Sequence, residues 1–426
     1  MTMPDPRPAP GSVVSPPDEP WLAREGSRLL DGARASFAQE GGFWWLGLAG
    51  RPDTARPREL WITCRMTHVF ALGSLLGRPG DAELAEHGVA SLLDVFRDGE
   101  YDGWFSAVGA DNQPEGTTKA AYGHAFVLLA ASSAVVAGCA RAGELLDAAT
   151  AVFLRRFWDE EQGLAVEEWN RDWSALESYR GANANMHTVE AMLAVADATG
   201  EQAWRDRALR IATRLIDQFA REHDWRIPEH FDADWQVLPD YNRDLPDHPF
   251  RPYGVTPGHA LEWARLLLTL GASLRSLGRE APTWLGEAAA ALFDRAVREG
   301  WDAERGGFVY TTDWSGVPVV RARFHWVVAE AIGAAAALRR AAEDDYYAAW
   351  YATFWDYARG VFIDQSGGVS WVHEVDEEAR PATVTWTGRP DTYHAFQATL
   401  LSRLPSTPTL AAALRAGLLE VVDEHA

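Results

Sequence analysis

Gly41-Gly42-Phe43-Trp44 closes the first helical stretch of the chain. Variants of it return at Asp102-Gly103-Trp104, Gly163-Leu164, Asp224-Trp225, Gly306-Gly307-Phe308 and Gly367-Gly368-Val369-Ser370-Trp371. Most recurrences lie about 60 residues apart, a period that marks a repeat architecture. Between the marks the apolar residues follow the helical period. Twelve long helical segments are expected, at 19–38, 59–78, 82–97, 117–140, 142–156, 184–199, 201–220, 257–278, 284–299, 321–340, 343–361 and 389–403, with a thirteenth near 407–423. Six helix pairs with a recurring turn predict an all-α fold, an (α/α)6 barrel with odd helices outside and even helices inside. An open helical solenoid is the structural alternative. The period is broken once, between Trp225 and Gly306, where a segment at about 227–256 is inserted. It is rich in Pro, Asp, His and aromatics and would suit a lid over a barrel mouth. Residues 19–426 are thus expected to form one catalytic domain, and the proline-rich residues 1–18 a disordered arm.

The even segments carry the chemistry. Arg65 and His68 fall on the second, Lys119, Tyr122 and His124 on the fourth, His187 and Glu190 on the sixth. His259 and Glu262 fall on the eighth, Trp326 and Glu330 on the tenth, and His394 opens the twelfth. In a barrel they would converge on the axis. Within Pro257-Gly258-His259-Ala-Leu-Glu262, Pro and Gly mark a helix start, so the imidazole and the carboxylate share one face. A carboxylate beside an imidazole raises its pKa and fixes its tautomer, which makes a general base. A second histidine, His394, meeting it across one pocket would allow a proton to be moved on and off carbon.

Each residue has a plainer reading. Arg65 needs an anionic or hydroxylic partner, because burying it alone is too costly, and a structural ion pair would serve. Tyr122 would donate to a sugar hydroxyl, whereas His124 reads as a packed core histidine. Asn183 either caps its helix or touches ligand. Trp326 and Glu330, one turn apart, would stack on and hydrogen-bond a sugar, or Glu330 would pair with Arg65 or Lys119. The pairs His187/Glu190 and His259/Glu262 match neither the E-x-x-H set of di-iron bundles nor the H-E-x-x-H of zinc proteases, so no metal is expected.

Composition narrows the partners. The 426 residues carry a formal charge of −22 with a pI near 4.9, which argues against nucleic acid and anionic membranes. No stretch approaches a membrane span and the start is not a secretory signal. The two cysteines, Cys64 and Cys139, read as buried thiols of a cytoplasmic protein. Twenty tryptophans are many, and aromatics line sugar pockets as well as cores. Of 39 basic residues only Lys119 is lysine, which suggests either chance survival in an arginine-rich chain or a place where a guanidinium would not fit.

Taken together, Arg65-Met-Thr-His68, Asn183-Ala-Asn-Met-His187, Arg251-Pro-Tyr-Gly254 through Gly258-His259-Ala-Leu-Glu262-Trp263, and Asp391-Thr-Tyr-His394 resemble the N-acylglucosamine 2-epimerase superfamily over nearly the whole chain after residue 20. The likeness is greatest to its aldose–ketose isomerase branch, the mannose and sulfoquinovose isomerases. The resemblance implies an (α/α)6 barrel with no metal and no redox cofactor. It implies His259 and His394 as the acid/base pair, with Arg65, Tyr122, Asn183, His187, Glu262, Trp326 and Glu330 holding a monosaccharide. His325 departs from the paired tryptophans of related sequences. The reaction expected is interconversion of D-mannose and D-fructose through a cis-enediolate, with His394 as base at C2 and His259, tuned by Glu262, as its partner. A mannose/glucose 2-epimerase or a sulfoquinovose isomerase is the alternative within the class. An (α/α)6 glycoside hydrolase and a non-catalytic sugar-binding protein are the rivals outside it. Monomer and homodimer are both compatible with the sequence.

Overall fold

The computed structural model describes residues 15–342, 344–364 and 370–419. Most of the arm expected at 1–18, residues 367–369 of the sixth loop mark and the end of the thirteenth helix lie outside the described residues. Thirteen α-helices are present among them: α1 Glu19–Ala33, α2 Leu60–Leu75, α3 Asp81–Asp94, α4 Ala121–Ala137, α5 Ala142–Arg156, α6 Ala182–Thr199, α7 Gln202–Ala212, α8 Pro257–Ser276, α9 Trp284–Gly300, α10 His325–Ala342, α11 Asp345–Tyr357, α12 Tyr393–Leu401 and α13 Leu410–Arg415.

The even helices form a closed ring. α2 packs on α4, α4 on α6, α6 on α8, α8 on α10, α10 on α12, and α12 returns to α2. Each has an outer partner: α3 on α2, α5 on α4, α7 on α6, α9 on α8, α11 on α10, and α1 on α12. Closure excludes the solenoid and gives the (α/α)6 barrel. Burial follows this order. In α2 every residue from Leu60 to Gly73 is buried, as in a helix enclosed on all sides. In α1 the apolar residues Leu22, Leu29, Leu30 and Ala33 are buried on one face.

The loop marks have a backbone cause. Gly41, Gly42, Gly103, Gly163, Gly306 and Gly307 all have φ between 67° and 123°, where a side chain is strained. At Gly42 a Cβ would also sit 2.8 Å from Thr63 Oγ1 and 2.9 Å from Phe96.

Several inner helices begin later than the apolar period suggests, because short strands precede them. Arg58–Glu59 pairs with Ala107–Val108, Lys119–Ala120 with Glu168–Trp169, Arg180–Gly181 with His230–Phe231, and Arg323–Phe324 with Glu374–Val375. The first residues of the 227–256 segment therefore belong to this repeated strand pairing, and the inserted length begins after Phe231. The second half of the segment expected at 201–220 is a π-helix, Thr213–Ala220.

Cys64 is buried, as expected, whereas Cys139 is only half-buried and lies just past the end of α4. No helix among the described residues is long and apolar enough to cross a membrane.

Candidate active site

The first two turns of all six inner helices face one cavity at one end of the ring. Its volume is about 680 Å³ including its mouth. Trp61 and Arg65 come from α2, Tyr122 from α4, Asn183 and His187 from α6, His259 and Glu262 from α8, Trp326 from α10 and His394 from α12. The 227–256 segment closes one side with Pro249, Phe250 and Pro252. Eight of the nine residues expected at the site thus line it.

Glu330 is the exception. It lies behind the wall, where its Oε1 meets His394 Nδ1 at 2.8 Å and its Oε2 accepts from Arg265 Nε at 3.0 Å. One helical turn below Trp326, it does not line the cavity and holds His394 from behind the wall. His259 is held in the same way, by a different carboxylate from the one expected. Glu229 Oε1 meets His259 Nδ1 at 2.9 Å, and Glu229 enters beside the strand His230–Phe231. Glu262 lies a turn deeper, 3.7 Å from His187 Nδ1 and 3.6 Å from Arg265.

With Nδ1–H donated to a carboxylate, each imidazole keeps Nε2 as its lone-pair nitrogen. Burial, then Arg65, holds His394 well below the ordinary histidine range, so its neutral form dominates near pH 7. The Trp326 ring lies between the two histidines, with centroids 5.6 Å from His259 and 5.9 Å from His394.

Arg65 donates to Asp391 Oδ2 and to the Tyr122 hydroxyl, both at 3.1 Å, among the rings of Trp61, Phe126 and Tyr393. Burial opposes its charge, but Tyr122 and Asp391 more than offset this and hold it above the ordinary range. Burial also pushes the Tyr122 hydroxyl up to about 12, so it stays a donor. Asn183 is the second residue of α6 and does not cap it; Gly181 occupies that place. Its Oδ1 has no partner. Burial, then Glu330, pushes Glu262 well above the usual carboxylate range and favours its protonated, hydrogen-bond-donating form.

Under the cavity floor, Arg265 joins Glu190 at 3.8 Å, Glu262 and Glu330. His187, Glu190 and Glu262 bring one donor atom each within 4.8 Å of one another. The Arg265 charge already serves both glutamates, and the Tyr393 hydroxyl donates to Glu190, so a cation there would compete with a built-in one.

His68, His124 and Lys119 do not reach the cavity. His68 Nδ1 pairs with Ser133 Oγ at 2.7 Å. His124 bonds the Ala120 carbonyl at 2.8 Å and accepts from Trp104 N–H, the core role expected of it. Lys119 is fully buried, 3.0 Å from Asp98 and over the Trp173 ring.

Sequence reading missed His373, which stacks on His325 with centroids 3.8 Å apart; both line the cavity. His373 donates from Nε2 to the Asp391 carbonyl at 3.1 Å, beside His394. Its signal was its place after the last loop mark, in Trp371-Val-His373-Glu374-Val375, but no helical period points to it.

Residues 41–398 match the family model described as N-acylglucosamine 2-epimerase (GlcNAc 2-epimerase). The chain belongs to the N-acylglucosamine 2-epimerase family. Within the family it is 52% identical over 396 residues to a protein of Thermobifida fusca named D-mannose isomerase, covering 92% of this chain and 96% of that one. It is 49% identical over 405 residues to one of the same name from Pseudomonas cannabina pv. alisalensis, covering 95% and 97%. A solved structure described as D-mannose isomerase superposes with a TM-score of 0.83 at 30% identity, covering 90% of this chain and 97% of the other. The family likeness therefore spans the ring and every cavity residue named above.

Proposed function

We propose that the protein is an aldose–ketose isomerase that interconverts D-mannose and D-fructose. The observation that carries this reading is the pair of histidines, His259 and His394, each with Nδ1 on a buried carboxylate and both flanking Trp326 in one cavity. The relatives named D-mannose isomerase, at 52% and 49% identity, support the choice of sugar.

The reaction is redox-neutral. It moves one hydrogen from C2 to C1 and one proton from O2 to O1. His394 Nε2 takes the C2 proton of the open-chain aldose, and the C2–H electrons form the C1–C2 double bond of a cis-enediolate. His259 opens the ring by moving protons at O5 and O1, and then serves O2. His394 returns its proton to C1, giving the ketose. Negative charge on the enediolate meets Arg65, with His187 as a further donor. It also faces the N-terminal turns of six inner helices, whose partial positive ends converge on the cavity. The 227–256 segment acts as the lid and delivers Glu229. Residues from 19 onward act as one catalytic unit.

Two observations weigh against the other readings. A sulfonate needs a cation, but Arg251 is held by both oxygens of Glu177 at 2.8 and 2.9 Å, and Arg243 pairs with Asp240 at the surface. A glycosidase needs two carboxyl groups flanking the bond. Glu190 and Glu330 do not line the cavity, and Asp391 is committed to Arg65. Epimerisation at C2 needs the same site, with His259 reprotonating the opposite face.

The deciding experiment is incubation with D-mannose in D2O with EDTA, read by NMR. Fructose is expected, deuterated at C1 to the extent that the proton held on His394 exchanges with solvent before its return. Glucose as main product would make the protein a 2-epimerase, and undeuterated mannose would end the reading.

A further inference from the structure

Beside the inner cavity lies a larger outer compartment of about 1440 Å³ including its mouth. Trp61, Tyr122, Asn183 and Phe250 line both spaces, so the two adjoin at these side chains. The two histidines and Trp326 stand on α8, α12 and α10, while the shared residues stand on α2, α4, α6 and the inserted segment. An aldose with C1 and C2 between the histidines therefore points its far end, C4 to C6, toward the outer compartment.

The outer wall is acidic. Glu59, Glu167, Glu168 and Glu177 line it against Arg251, and Arg251 is already bound by Glu177. Glu167 is only 8% exposed, and its Oε2 has no hydrogen-bond partner. Burial raises this carboxyl to about 7, and burial raises Glu59 and Glu168 as well. Glu59 already pairs with Arg56 and accepts from Trp61 Nε1, while Arg251 lies 4.0 Å over the Tyr179 ring and faces Glu167 and Glu168. At Glu167 burial outweighs Arg251, and a further cation bound beside its unpartnered Oε2 would ionise it.

We propose that this compartment is a subsite for a protonated amine carried at the far end of the aldose, and that it rejects an anionic group in that position. The proposal rests on the isomerase reading for the direction in which the sugar lies.

The test uses three mannose ethers of nearly equal size: 6-O-(2-aminoethyl)-, 6-O-(2-hydroxyethyl)- and 6-O-(carboxymethyl)-D-mannose. Binding is read by calorimetry at low salt near neutral pH, and turnover by C2–H exchange in D2O. The amine is expected to bind about fivefold or more tighter than the hydroxyl ether, and the carboxylate about tenfold weaker, as single charge interactions at a half-open site permit. Glu167→Gln is expected to remove most of the amine's advantage, with Glu168→Gln trimming it. Salt at about 0.5 M should shrink it in the parent protein, since screening weakens charge selection first. Equal binding of the amine and hydroxyl ethers would overturn the proposal. So would an amine advantage that survives the E167Q/E168Q double variant. Should E167Q fail to fold by circular dichroism, E168Q and the salt series decide the matter. Tighter amine binding with no C2–H exchange from any of the ethers or from D-mannose would sink the isomerase reading and leave the cation subsite standing.

Discussion

A histidine whose Nδ1 proton is committed to a buried carboxylate has one nitrogen left to work with. His259 and His394 are both in this state, and the carboxylates, Glu229 and Glu330, reach them from outside their own helices. Replacing His394 with Ala is expected to abolish C2–H exchange in D2O, and retained exchange would refute its role as base. Glu229→Gln should lower kcat by about 10²-fold or more by loosening the tautomer of His259, within the usual worth of a positioned acid or base. Glu262→Gln should raise KM more than it lowers kcat, because Glu262 faces the cavity without contacting His259. Steady-state kinetics of the two variants separate the roles. Burial depresses His394, so the acid limb of kcat/KM should fall below the ordinary histidine value near 6.5; a limb at or above 6.5 would contradict it. That His259 and His394 would face one cavity was legible in the sequence, because residue type and helix start sufficed. The partner of His259 was not. Glu262 is near in sequence, but the helix turns its carboxyl toward Arg265, while Glu229 arrives from the residue before a strand, 30 residues earlier.

Short strands set where the inner helices begin, and the cations on them explain the lone lysine. Arg58, Lys119 and Arg323 each stand two residues before an inner helix, are fully or almost fully buried, and reach into the loop after an outer helix. Arg58 donates to the carbonyls of Gly41 and Gly109. Lys119 bonds Asp98 and the Asp102 carbonyl. Arg323 bonds Asp302 at 2.7 Å and the Glu377 carbonyl. Lys119 is thus the local version of a repeated clamp that pins the glycine-rich turns, and it has no part in the cavity. Lys119→Met should cost about 1–3 kcal/mol, the penalty for buried acceptors left unmet. The loss stays in that range because Arg171 remains on Asp98 at 2.9 Å. A lowered urea midpoint with an unchanged m-value and an unchanged KM for mannose would bear this out. The six-fold order of helices was readable from the turn marks and the apolar period. The helix starts expected at 117 and 321 were too early, because a two-residue strand is too short to impose a period of its own; the start expected at 389 was also too early, with an irregular stretch before α12.

At the scale of the molecule, several histidines are buried in neutral form. Burial lowers His68, His124 and His325 to about 4. The unfolded chain takes up these protons near pH 6.5, before the folded one does, so stability should decline as the pH falls from about 6.5 toward 4. Urea unfolding midpoints measured across that window should drop steadily, and a flat profile would contradict the burial of these rings.

The ring is closed by joining its two ends. α1 packs on α12, Trp371 Nε1 donates to Glu25 Oε1 at 2.8 Å, and Trp45 Nε1 donates to the Thr387 carbonyl at 2.5 Å. Of the outer helices, α1 is therefore the one whose inner partner lies farthest along the chain. Until α12 has been synthesised, the apolar face of α1 has only its lesser packing on α2 to cover it, and the nascent chain must carry that face meanwhile. The five pairs from α2 with α3 to α10 with α11 can assemble as they emerge, but the sugar pocket, which needs His394, comes into being only with the final stitch.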